Sequence, residues 1–260
     1  MPRRLGQHFL VRDSILNQFA KAACGEHTGR VIEIGPGKGA LTRHLLQLAD
    51  ELHVLELDRN LADYLRRKLG DDPKLHIHQG DVLTTDLAQW GGAVITGNLP
   101  YYITSPILER FLALDERFPV GVFLMQWEVA QRLLAQPGTR DYGYLTVSTQ
   151  LICEVNLISK VAPGAFLPPP KVDSGAVRLV RRPIPPADLP ALLTFVSRCF
   201  RMKRKTLRNN LRPFYGSAVD GLRESGLRAE QLRLDQFQAL HSQLVSRTEG
   251  STPDGRFIQL

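Results

Sequence analysis

From residue 30 onward the chain alternates short β-branched runs with stretches of helical spacing. The first run ends in Glu33-Ile34-Gly35-Pro36-Gly37-Lys38-Gly39-Ala40. Alternation of this kind folds into a mainly parallel sheet covered by helices. Strands are expected at 30–34, 52–57, 75–79, 93–96 and 120–125, with helices at 41–48 and 61–69 between them. Two further strands, at 145–153 and 172–180, flank a turn-rich stretch at 163–170 whose three successive prolines forbid a helix. Pro183-Ile184-Pro185-Pro186 reads as a linker. Beyond it the spacing is helical at 189–211, 218–225 and 236–246, with a weakly ordered tail at 251–255. The expected organisation is an α/β, Rossmann-like domain over 1–183 and a small all-helical domain over 187–260.

The 260 residues are enough for one sizeable α/β domain plus a small one. No stretch approaches the ~18 apolar residues of a membrane span, and Met1-Pro2-Arg3-Arg4 leads into polar sequence, so a cytoplasmic protein with no membrane association is expected. Cys24, Cys153 and Cys199 form no paired motif, which leaves reduced, buried thiols as the expectation. Charge is more telling. Arg198, Arg201, Lys203, Arg204, Lys205, Arg208 and Arg212 contain no acid among them, and these seven cations equal the whole net charge of +7. A cationic surface this local points to a polyanion.

Glycines in a strand-to-helix turn let backbone approach a ligand, but Gly35-Pro36-Gly37 alone fits many nucleotide sites. A phosphate-binding loop is excluded, because Lys38 is followed by Gly39 rather than Ser or Thr. Glu56 falls about twenty residues further on, at a strand end where a carboxylate can take both hydroxyls of a ribose. Asp81 follows the third strand and can accept from an adenine amino group. The bland alternative is that these acids cap the following helices. A carboxylate after each of two successive strands, behind a glycine turn, favours S-adenosylmethionine over a nicotinamide dinucleotide.

Asn98-Leu99-Pro100-Tyr101 closes the fourth strand, at the edge where ligands bind open α/β sheets. Its residue types suit methyl transfer to an exocyclic amine. The Asn98 side-chain oxygen and a carbonyl at Leu99 or Pro100 can accept both amine hydrogens and aim the nitrogen lone pair. Pro100 stiffens that backbone, and Tyr101 offers a stacking face. No general base is needed, since a methylated adenine amine is strongly acidic while cationic; positioning and electrostatics do the work.

These residues resemble the ribosomal RNA adenine dimethyltransferases, most closely the bacterial group that dimethylates two adjacent adenosines near the 3′ end of 16S rRNA. The resemblance runs through Gly6-Gln7-His8-Phe9-Leu10, Glu33 to Gly37, Glu56-Leu57-Asp58, Asn98 to Tyr101, Phe166-Leu167-Pro168-Pro169-Pro170-Lys171-Val172-Asp173-Ser174 and Arg204-Lys205-Thr206-Leu207-Arg208-Asn209. It implies that Gln7, His8, Leu10, Gly35, Gly37, Glu56, Asp81 and Asn98 hold S-adenosylmethionine, leaving S-adenosylhomocysteine as product. It also implies that Asn98 to Tyr101 catalyse and that Phe166 joins Tyr101 on the base. Two positions depart from the family pattern: His8 stands where Asn is usual, and Tyr102 where Asn is commoner. The expected partner is the small ribosomal subunit with its rRNA, bound by a monomer. The competing readings are a 23S rRNA adenine methyltransferase of the macrolide-resistance type and a noncatalytic assembly factor.

Other features carry plainer readings. His76 and His78 share one face of a strand, but a third ligand cannot be placed from sequence, so no metal is expected. Trp90 and Trp127 read as packing or rim residues. Phe166, before three prolines, is expected on a rigid loop presenting its ring. Arg201, Lys203, Arg204, Lys205 and Arg208 are expected to grip RNA phosphates, because a merely solvated helix face gains from opposite charges that this run lacks.

Overall fold

The computed structural model describes residues 8–183 and 186–249; Gln7, residues 184–185 of the expected linker and the tail at 251–255 lie outside the described residues. The chain divides into two compact units, one of Met1–Leu134 and Cys153–Pro183, the other of Ala135–Ile152 and Ile184–Leu260. A single break near 183 therefore does not describe the division, since residues 135–152 pack with the second unit.

In the first unit β1 (Phe9–Leu10) leads into α1 (Asp13–Cys24). Buried Leu16, Phe19, Ala20, Ala23 and Cys24 recur along α1 at helical spacing and make one apolar stripe. Then follow β2 (Thr28–Ile34), α2 (Ala40–Leu45), β3 (Ala49–Glu56), α3 (Arg59–Leu69), β4 (Leu75–Gln79), β5 (Val94–Asn98), α4 (Thr104–Ala113), β6 (Val120–Gln126) and α5 (Trp127–Leu134). After α6 (Tyr144–Ile152), which belongs to the second unit, the first is completed by β7 (Cys153–Val161), β8 (Phe166–Leu167) and β9 (Ser174–Arg181). Strand order is β4-β3-β2-β5-β6-β9-β7, parallel from β4 to β6 and antiparallel at β9 and β7. The chain winds outward from β2 through β3 to β4, then resumes at β5 on the other side. That switch point puts the ends of β2 and β5 side by side, the position at which open α/β sheets bind ligands.

The expected strand at 145–153 is a helix. Its β-branched residues suggest a strand, but Val147 and Leu151, four apart, are buried against Leu192, Phe195 and Val196 of the second unit's own core. That core is built on α7 (Leu189–Cys199), α8 (Leu207–Tyr215) and α9 (Leu234–Glu249). The expected continuous helix at 189–211 breaks at the cationic loop 200–206, where five successive side chains from Arg201 to Lys205 are exposed. At 218–225 only a short 3₁₀ turn, Gly216–Val219, forms. All three cysteines are buried free thiols, and burial pushes Cys24 and Cys153 up to about 11.

Gly97 lets β5 lie tightly against β2 beside the switch point: a Cβ there would sit 2.4 Å from the Ile34 carbonyl oxygen. Because that neighbour is backbone, it cannot swing aside. Gly97→Ala should destabilise the first unit by about 1–3 kcal/mol, the cost of overpacking a tight core, read as a lower urea midpoint with unchanged slope.

Candidate active site

The glycine turn, the two acids and the tetrapeptide converge on one cleft of the first unit. One part of it, about 470 Å³, is lined by Gly35, Glu56, Leu57, Asp81, Pro100 and Tyr102 among others. Its neighbour, about 560 Å³, is lined by Phe9, Leu10, Glu33, Pro36, Lys38 and Asn98, and Gly35 borders both.

Glu56 is 4% exposed and does not cap the following helix. That task falls to Asp58, which accepts the Asn60 N–H at 2.8 Å. Instead Glu56 Oε2 accepts the Gly37 N–H and Oε1 the Asp58 N–H, each at 3.0 Å, so the carboxylate holds the glycine turn. Burial raises its pKa, opposed by those backbone bonds. Gly37 has φ +58°, and a Cβ on it would meet the Phe9 ring at 2.7 Å, so this position excludes a side chain twice over. Asp81 spends Oδ1 on the Leu83 N–H at 2.8 Å; Oδ2 has no partner among the described residues.

The N-terminal arm is tied across the tetrapeptide. β1 pairs with β8, Phe9 opposite Leu167 and Leu10 opposite Phe166. His8 Nδ1 donates to the Pro168 carbonyl at 2.9 Å, since a carbonyl can only accept. The His8 carbonyl in turn accepts from Asn98 Nδ2 at 2.8 Å. This contact uses backbone, so it survives the departure from the family pattern at His8. It also settles the Asn98 amide, with its donor side engaged and Oδ1 left as an acceptor. The Leu99 and Pro100 carbonyls differ in what they already accept. The Pro100 carbonyl already accepts from Ile103 N–H and Thr104 Oγ1, both at 3.1 Å, whereas none of the described residues donates to the Leu99 carbonyl. The Tyr101 hydroxyl bonds Ser174 Oγ at 2.7 Å, which fixes the ring, and burial raises its pKa.

Phe166 does not present its ring. It is 3% exposed within the core of the first unit, and the alternation of β8 turns Leu167 outward instead, 65% exposed. In the second unit Arg201, Lys203, Arg204 and Lys205 are exposed, and the side chains of Arg204 and Lys205 have no ionic or hydrogen-bond partner among the described residues. Lys203 Nζ bonds the Arg140 carbonyl. Arg208 is not free: its Nε pairs with Asp220 at 2.7 Å, a compensating acid twelve residues away that the local charge pattern does not reveal. Asn210, 1% exposed, knits the loop together. Its Nδ2 donates to the Cys199 carbonyl at 2.8 Å and its Oδ1 accepts the Met202 N–H at 3.0 Å.

Glu33, which lines the cleft, and Ser174, which holds Tyr101, lie inside motifs quoted for the family but are assigned no role from sequence. Glu33 had a visible signal, as the one acid inside the apolar run Val31-Ile32-Glu33-Ile34. It is 1% exposed, accepts from Thr42 Oγ1 at 2.6 Å, and burial pushes its pKa up to about 8. The folded chain then holds a proton that the unfolded chain releases above its ordinary value of 4.5. Stability from this group is full below that value and lost as pH rises through about 8. Glu33→Gln keeps an acceptor for Thr42 without the charge. Urea unfolding should show the variant gaining stability over the parent at about pH 9 and differing little at about pH 4.

Comparisons with known proteins give the family. Residues 2–241 match the family described as ribosomal RNA adenine dimethylase. The chain is 38% identical over 258 residues to the ribosomal RNA small subunit methyltransferase A of Shewanella oneidensis, covering 94% of this chain and 95% of that protein. Among solved structures, a dimethyladenosine transferase from Plasmodium falciparum superposes with a TM-score of 0.79 at 25% identity, over 94% of this chain and 98% of that one. The 23S rRNA methyltransferase ErmE gives 0.73 at 30% identity, over 91% and 99%. With its Rossmann-like sheet, the cleft at its switch point and the family match along nearly its whole length, the chain belongs to the ribosomal RNA adenine dimethylases, S-adenosylmethionine-dependent methyltransferases that act on rRNA.

Proposed function

We propose that this chain transfers methyl groups to the exocyclic amines of two adjacent adenosines near the 3′ end of small-subunit rRNA, within an assembling subunit in the cytoplasm. The observation that carries the reading is the pair of acceptors at the end of β5, Asn98 Oδ1 and the Leu99 carbonyl, left open because the rest of the motif is engaged. The subunit assignment is supported by the name borne by the Shewanella relative.

S-adenosylmethionine supplies an electrophilic methyl group on a sulfonium. The residues present fit it. Glu56 offers lone pairs to ribose hydroxyls, Asp81 Oδ2 an acceptor for the adenine amine, and Gly35 and Gly37 close backbone approach. His8, Leu10 and Asn98 line or tie the methionine end, with Gln7 assigned there by resemblance. Glu33, buried and protonated while alone, ionises readily beside a cationic ligand.

Asn98 Oδ1 and the Leu99 carbonyl accept the two hydrogens of the target amine, drawing its lone pair out of the ring and toward the methyl carbon. Pro100 holds that backbone, and the Tyr101 ring, anchored through Ser174, supports the flipped base. The cationic amine loses its proton to water. For the second transfer one N–H remains, so one of the two acceptors still orients it. In the second unit Arg201, Lys203, Arg204 and Lys205 meet phosphates as exposed cations, with Arg208 shared with Asp220.

Mass spectrometry of nucleosides after incubation with labelled methyl donor tests the assignment. Dimethyladenosine is expected in unmodified small subunits and not in naked 23S rRNA; the reverse pattern moves the chain to the macrolide-resistance type, and no product in either makes it a noncatalytic factor. Asn98→Ala should keep the fold and lower turnover by about 10²–10³, the range for removing one preorganised polar group. Replacing Arg201, Lys203, Arg204 and Lys205 by Gln should spare cofactor affinity, measured by calorimetry. It should flatten the slope of log RNA affinity against log salt by about 0.7–0.9 for each phosphate no longer neutralised.

A further inference from the structure

At the β4 edge of the sheet, away from the cleft, β3 and β4 bring together side chains that the methyl-transfer chemistry does not use. His53 and His76 stand opposite each other in register, Leu55 stands opposite His78, and Glu51 lies two residues before His53 on the same face. Glu51 is five residues along β3 from Glu56, roughly 16 Å of strand. His53 Nε2 lies 2.9 Å and His76 Nε2 3.5 Å from the same oxygen, Glu51 Oε1. One ligand atom from each of the three falls within 4.8 Å of the others. Two ligands of one tetrahedral ion, each ~2.0–2.1 Å from it, sit about 3.3 Å apart, so the two carboxylate–imidazole spacings are those of a coordination shell within a few tenths of an ångström, and the imidazoles close on the ion from within 4.8 Å of each other. Of the two strand histidines only His76 belongs to this set, and the neighbouring strand supplies its other two members, Glu51 and His53.

We propose that Glu51, His53 and His76 bind a divalent late transition ion such as zinc, with the fourth position left to water. Two imidazoles and one carboxylate are a donor set such ions favour over magnesium or calcium.

The surroundings orient these ligands. Arg30 Nε donates to Glu51 Oε2 at 2.6 Å, which pins the carboxylate by its other oxygen and leaves Oε1 for the ion. His53 Nδ1 lies 3.1 Å from His78 Nε2, so once the ion takes Nε2 the ring proton sits on Nδ1 and is donated to His78. Trp90 stacks on His78 at 4.3 Å and on His53 at 5.2 Å between centroids, limiting ring rotation. Burial holds His53 and His78 toward the neutral form that ligates metals, and Arg30 keeps Glu51 ionised against its own desolvation. His76 is the exposed member, 44% accessible, and gives the ion its way in. Arg30 is a cation close by and tempers affinity, while Arg66 bears on His78 from α3.

The test uses the full-length, tag-free chain stripped with chelator, titrated with Zn²⁺ against a chromophoric chelator and with Co²⁺ by visible absorption. One ion per chain is expected, with intense Co²⁺ bands of low coordination number and a higher melting temperature with Zn²⁺. His76→Ala and Glu51→Gln should each weaken binding by about tenfold or more and abolish the thermal gain, with circular dichroism and methyl transfer unchanged. Controls His27→Ala and His44→Ala remove histidines paired instead with Asp50 and Asp13 and should bind as the parent does. Absence of saturable binding, or binding that survives both ligand substitutions, overturns the proposal and leaves the cluster a hydrogen-bonded network only.

Discussion

One hydrogen bond organises the catalytic edge: Asn98 Nδ2 to the backbone carbonyl of His8. An amide carries its donor and its acceptor in one plane on either side of the Cβ–Cγ bond, so engaging the nitrogen determines where the oxygen points. The acceptor has to stay where it is, and three contacts hold it there. β1 pairs with β8, the Val11 N–H reaches the Ala165 carbonyl at 2.9 Å, and His8 bonds the proline-rich loop through Pro168. Phe9, carried on the same arm, packs on Gly37 and leaves no room for a side chain there. The glycine turn, the N-terminal arm and the Asn98 to Tyr101 motif are therefore one mechanical unit, although His8 and Asn98 lie 90 residues apart along the chain.

The cleft is also prepared electrostatically. Glu33 and Glu56 are both nearly inaccessible and both raised by burial, and neither is paired with a cationic side chain in the described residues. Burying acids without counter-charges costs stability unless they are hydrogen-bonded. Here Thr42, Gly37 and Asp58 supply those bonds. The arrangement suits a ligand that brings its own positive charge and hydroxyl donors, as S-adenosylmethionine does.

The second unit solves a different problem, that of presenting cations without losing the loop that carries them. Five consecutive exposed side chains offer no apolar anchor of their own. The buried Asn210 amide substitutes for one, bonding backbone groups at Cys199 and Met202. Arg198 and Arg201 lie over the Phe214 ring, at 4.6 and 5.7 Å, which stiffens two of the cations through cation–π contact. The segment is thus a shaped surface, with Arg208 partly neutralised by Asp220 and the Arg204 and Lys205 charges left for a polyanion.

Strand and turn chemistry is local, and what depends on it was legible. The β-branched runs, the glycine turn after β2, the acids at Glu56 and Asp81, and Asn98 at the end of β5 all follow from period-two alternation and from residues that fit particular turns. Their convergence follows from the rule that parallel strands place their ends on one edge. Contacts between distant segments were beyond its reach. Whether Phe166 or Leu167 faces the core depends on the register of β8 against β1, since shifting a strand by one residue exchanges its faces. The 145–153 stretch is helical because the second unit's core takes Val147 and Leu151, overriding a weak strand preference. The open carbonyl at Leu99, the acid that answers Arg208, and the meeting of Glu51 with His53 and His76 are all set by which backbone or side-chain group lies opposite. Only tertiary structure could decide these, because hydrogen bonds and ion pairs act over a few ångströms of space while sequence motifs record only distance along the chain.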